Sequence, residues 1–192
     1  MSSTNKLAAG LLAAATLVAT PAVGMIAAGT AMAAPTDNTT ITINGNVTGH
    51  HFTAYKLASF GNVGIADGKA SATVTSETAV KDKITAAAKT AGITVADGQD
   101  PIDAAARADS AKVQAFAKAL AGAGLTATAE TDGNGQSATL NVTEGWYLVT
   151  DSKGLPVLVG TQIKSGDQTA TAMKDGTTLG TVDIKSTSLS VD

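Results

Sequence analysis

Few side chains in this sequence are equipped for chemistry. Cysteine is absent, which excludes disulfides, thiolate metal sites and thiol nucleophiles. The two histidines, His50 and His51, are adjacent. Neighbours on a strand point to opposite faces, so the pair is poorly arranged to share one metal. No third ligand stands at a spacing that would complete a site, and the two imidazoles read as structural or solvated. Asp97-Gly98-Gln99-Asp100 has the outline of part of a calcium loop without the full ligand series. The G-x-S-x-G, H-E-x-x-H and P-loop patterns are missing, and with them the usual serine-nucleophile, zinc-hydrolase and nucleotide signatures. The sequence therefore predicts no enzymatic activity, no metal and no cofactor.

The elements that would carry these residues follow from periodicity. Residues 40–44 (TITIN) alternate and are β-branched, as a strand does. Residues 51–60 form a second strand, with Phe52, Ala54 and Lys56 on one face and Thr53, Tyr55 and Leu57 on the other. Alternation breaks near Leu57, which predicts a bulge or burial of both faces. Residues 62–69 read as a turn-rich connection and residues 70–75 as a short strand. The period then becomes helical: Val80, Ile84, Ala87, Ala88 and Ala91 make one stripe, with Ser76 or Thr78 as cap and Gly92 as stop. Asp100-Pro101 is a helix entry. A third helix opens at Asp109 or Ser110, carries Val113, Phe116, Ala117 and Leu120 inward, and ends at Gly122 and Gly124. Residues 126–130 and 137–142 flank Asp132-Gly133-Asn134-Gly135 and predict a hairpin. Strands follow at 146–151, 157–164 and 180–185, with a polar loop or weak strand over 165–176. Strands, a helical insertion over about 76–124 and strands again imply a β-sandwich with segregated helices.

The first 33 residues decide the compartment. Lys6 is the only charge before Asp37, residues 7–34 are apolar or small, and Ala31-Met32-Ala33 is a small-x-small step before Ala34-Pro35. This describes a secretory signal peptide cut between Ala33 and Ala34. A retained anchor is disfavoured by Pro21 and Gly24, which interrupt the helix. The expected mature chain has a flexible start at 34–39, one domain over 40–185 and a linker at 186–192. It keeps 12 basic against 16 acidic residues, with Arg107 the one arginine. Such a balance, without a basic cluster, argues against nucleic acid and against anionic membrane surfaces.

Two segments carry a resemblance. Residues 49–57 (GHHFTAYKL), together with residues 144–151 and 156–160 (EGWYLVTD and PVLVG), resemble the N-terminal domain of sortase-assembled Gram-positive pilins, the isopeptide-forming fimbrial subunits. The helical insertion between them fits that domain, and the likeness covers about residues 40–185. It implies an Ig-like β-sandwich exported to the cell wall as a structural pilus subunit. The partners it implies are other pilin subunits and a pilus-type sortase. The alternative is a secreted or wall-bound adhesin module that binds a host glycan or matrix protein without polymerising.

The resemblance also implies residue roles. A sortase joins the C-terminal Thr of one subunit to a Lys of the next. By position the acceptor here is Lys185, although the family's Tyr-Pro context is missing before it. An LPxTG-type sorting signal is also missing, which leaves a truncated gene or a fragment that stops ahead of a further domain, and the fragment is the expectation. Intramolecular isopeptide bonds in such domains need a buried Lys against Asn or Asp, with a carboxyl to move the proton. The residues available are Lys56 with Asp183 or Asp151. No Asn lies on the last strand, and the expectation is that no bond forms and that Lys56 snorkels to solvent.

Overall fold

The computed structural model describes residues 38–184. The leader with its Ala33–Ala34 step, residues 34–37, Lys185 and residues 186–192 lie outside the described residues. The described chain is mainly β, with several sheets and a helical layer. At its centre is β2 (His51–Ala66). One edge of β2 pairs antiparallel with β6 (Trp146–Asp151). The other edge pairs first with β4 (Ala129–Asp132) and then with β3 (Lys69–Ser76). Strands β7 (Val157–Gly160) and β10 (Ala172–Met173) extend this sheet to the order β10-β3-β2-β6-β7. A second sheet has the order β11-β1-β5, from β11 (Thr181–Asp183), β1 (Asn38–Asn44) and β5 (Ser137–Thr143). Strands β8 (Ile163–Ser165) and β9 (Gln168–Ala170) make a small separate pair. Helices α1 (Lys81–Thr90), α2 (Pro101–Ala106) and α3 (Ser110–Ala121) lie in the chain between β3 and β4.

Period-two alternation divides the core. In β6, Tyr147 and Val149 join Phe52, Ala54 and Val159 of the large sheet against Ile41, Ile43, Leu140 and Val142 of the second sheet. Leu148, with Trp146 beside it, faces the other way, into the cluster that holds Ile84, Ala88, Phe116 and Leu120 from the helices. The large sheet is thus buried on both faces. Each such side chain removed from water contributes about 1.5–3 kcal/mol before the entropy of ordering is counted. The helices dock by the stripes their sequences set out: α1 buries Ile84, Ala87 and Ala88, and α3 buries Phe116, Ala117 and Leu120.

The bulge near Leu57 is present. The register of β2 against β6 slips between Lys56 and Ala58, and both Leu57 and Ala58 are buried. Other sequence expectations differ from the structure. Strand β2 runs through the presumed connection to Ala66, and the chain turns only at Asp67-Gly68, both at positive φ. The segment 157–164 is two strands, β7 and β8, separated at Thr161. Helix α1 starts later than expected, with Val80 at the N-cap position and no side-chain cap; Ser76 lies four residues earlier and bonds Asp100 instead. The hairpin across 132–135 does not form as one ladder: β4 pairs with β2 and β5 with β1. The turn crosses between sheets because Gly133 approaches the Val47 backbone where a Cβ would collide and donates its N–H to the His50 carbonyl at 2.8 Å. Among the described residues no helix is long and apolar enough to cross a membrane.

Candidate functional site

The polar group closest to the core chemistry anticipated from sequence is the ammonium of Lys56. Lys56 stands opposite Tyr147 in the β2–β6 ladder, just before the bulge. Its stem passes close over Gly145, whose missing side chain leaves the room. Lys56 Nζ then donates to Thr143 Oγ1 at 3.3 Å and pairs with Glu77 Oε1 at 3.5 Å. The Lys56 side chain is one-fifth exposed. Ser59 Oγ donates to the same Glu77 carboxylate, and the Tyr147 hydroxyl donates to the Thr143 carbonyl at 2.9 Å. Burial pushes the Tyr147 hydroxyl pKa up, so it remains a donor at physiological pH. The arrangement is a charge pair on a scaffold of hydroxyls at the rim of the inter-sheet core.

The three residues considered for an internal cross-link lie apart. Asp151 is four ladder positions beyond Tyr147 on β6, about 13 Å further along. There its two oxygens meet His50 Nδ1 at 2.8 and 2.9 Å. Asp183 belongs to β11 and accepts from Asn44 Nδ2 at 3.1 Å. The carboxylate that meets Lys56 is that of Glu77, which sequence reasoning did not single out. A lysine at an inward strand position signals that some partner is needed, but only the fold decides which one.

Each histidine has its own carboxylate. His50 lies on Phe52, ring centroids 5.7 Å apart, and ties the start of β2 to the end of β6 through Asp151. His51 Nδ1 reaches Asp132 at 2.7 Å, and this hydrogen bond holds the His51 pKa above its ordinary value. Among the described residues no three His, Asp or Glu side chains gather as a metal site. Asp100 of the calcium-like stretch is a helix cap. It accepts from Ile102 N–H at 3.0 Å, and from the Ser76 amide at 2.9 Å and hydroxyl at 2.6 Å.

A cleft of about 480 Å³ opens where α2 and α3 leave part of the large sheet uncovered. Its walls are mainly apolar, including Val74, Phe116, Trp146 and Met173, with Asp103 and Arg107 among its polar residues. The buried Trp146 Nε1 has no hydrogen-bond partner among the described residues. No family model matches the chain, and no curated protein matches it. The cleft and the Lys56 cluster are therefore weighed on their own chemistry. The first has the size and apolar lining of a small-ligand site, whereas the second has the character of a structural ion pair.

Proposed function

We propose that this chain is the N-terminal, Ig-like β-sandwich domain of a structural subunit in a sortase-assembled pilus, exported and held at the cell wall through its polymer. The observation that carries this reading is the pairing of the first and last described strands. Strands β1 and β11 run parallel, with Thr42 opposite Thr181 and Asn44 opposite Asp183. The chain therefore enters at one end of this strand pair and leaves from the other. A subunit joined to its neighbour just past β11 uses that polarity, since its point of linkage and the start of β1 then lie toward opposite ends of the pair. The segments that resemble pilins support the reading as well, since residues 51–57 lie in β2, which neighbours β6, and β6 neighbours β7. In this reading Lys185 follows the last described residue directly and accepts the Thr carboxyl of the next subunit, with other pilin subunits and a sortase as the partners.

The test is the state of the protein on the cell. Wall material released by a muramidase and run under denaturing conditions is expected to give a high-mass ladder that reacts with antibody against this chain. Removal of the pilus-type sortase is expected to collapse it to monomer. Monomer alone in the untreated cells would overturn the proposal.

The cleft favours a second reading, an adhesin module that binds a glycan or matrix protein. That reading requires saturable binding by the full chain on a glycan or matrix array, weakened by Arg107→Ala at the cleft. Binding that ignores this substitution would remove the cleft from consideration.

A further inference from the structure

The edges of the two sheets are not equally guarded. Strand β10 is two residues long and β11 three, with Asp183 on it. Strand β4 carries Glu130 and Asp132. Strand β7 follows Pro156, whose carbonyl accepts from the Gln114 side chain, and its Gly160 is bridged by Leu179. These are the usual devices that keep an edge from pairing: short length, charge, proline and cover. Strand β5 lacks the first, second and third of these, and only at its start is Ser137 bridged by Asn134 of the preceding turn. It is seven residues, SATLNVT, without charge or proline, and its register with β1 is unbroken over all seven pairs. Among the described residues it has β1 on one side and no strand on the other.

The phase of the ladder tells which groups are free. Gly45 N–H donates to the Gln136 carbonyl at 3.0 Å, and the same register continues through Ile43–Ala138 and Ile41–Leu140. Antiparallel ladders alternate, so Ala138, Leu140 and Val142 turn their backbone groups toward β1, while Thr139 and Asn141 turn theirs outward. We propose that β5 is a self-association edge, where a second copy of this chain adds its own β5 antiparallel about a twofold axis at Leu140. In that arrangement Thr139 exchanges backbone hydrogen bonds with Asn141 of the second copy, and Asn141 with its Thr139. Both residues are exposed and uncharged, so no like charges meet. The strands of this sheet, β11, β1 and β5, hold one charged residue between them, Asp183. A second copy is the occupant the strand favours: its sequence is self-complementary about Leu140, and an acidic chain would elsewhere bring carboxylates together. The contact is small beside a stable dimer interface, so the dimer is weak and concentration-dependent. The proposal does not depend on the pilus reading.

Sedimentation equilibrium of the purified full chain over a range of concentrations tests it. The wild type is expected to show monomer and dimer. The double variant T139K/N141K sets lysines directly opposite each other twice per dimer and is expected to weaken association by roughly tenfold or more. T139E/N141E is expected to do the same, and an equimolar mixture of the two variants to restore dimer. Circular dichroism checks that the variants keep the wild-type fold. A wild type that stays monomeric throughout, a lysine variant that associates undiminished, or a mixture that fails to recover would each overturn the proposal.

Discussion

Tyr147 carries two roles that can be separated by substitution. Its ring is fully buried between the sheets, while its hydroxyl ties the end of β5 to β6 through Thr143. Tyr147→Phe keeps the ring and is expected to cost about 1 kcal/mol in urea unfolding. Gly145→Ala is expected to cost more than about 1 kcal/mol, because a Cβ there meets the Ala58 carbonyl at φ +153. A pH effect resides in His51. Its folded pKa is raised from 6.5 by the hydrogen bond to Asp132. Folding therefore binds this proton more tightly, and the resulting stability is complete below about pH 6.5 and lost as pH rises through the folded pKa. The melting-temperature gap between wild type and His51→Gln is accordingly expected to be wider at about pH 5.5 than at about pH 8.5. An NMR titration should give His51 a midpoint above 6.5. A midpoint at or below that value would contradict the assignment.

At the scale of elements, Asp100 is the point where the helical layer is fastened to the sheet. It caps α2 and also clamps Ser76 at the end of β3. Asp100→Ala removes both and is expected to cost about 2–3 kcal/mol in chemical denaturation, more than a cap alone. Asp100→Asn should recover part of this, since the amide oxygen still accepts. The cap itself was legible from Asp100-Pro101, because capping is a local rule. So was the bulge beside Leu57, where alternation fails. The partners that arrive from distant sequence were not legible. Ser76, one of the two residues read as a cap for α1, is instead spent on Asp100. Lys56 met Glu77 and Thr143, and not an aspartate: the β2–β3 pairing sets Glu77 beside Leu57, and the space over Gly145 lets the lysine stem reach Thr143 at the end of β5. The Asp132–Gly135 turn looked like a hairpin because turn chemistry fixes the reversal but not the sheet each arm joins.

At the scale of the molecule, the parallel β1–β11 pair governs how the domain would answer to tension. Pulling the two chain ends apart loads its hydrogen bonds together in shear. If Lys185 is the acceptor, however, force from the neighbouring subunit enters just past β11 and runs on along the chain, leaving the sheets outside the load path. A domain so placed has no need of a covalent brace, in keeping with the separation of Lys56, Asp151 and Asp183. The site of linkage is therefore the measurement on which the account turns. Peptide mapping by mass spectrometry of wall-released polymers is predicted to find a branched peptide, a threonine carboxyl joined to the side-chain amine of Lys185. Recovery of Lys185 peptides solely in unbranched form, with no other lysine of this chain carrying the linkage, would contradict it.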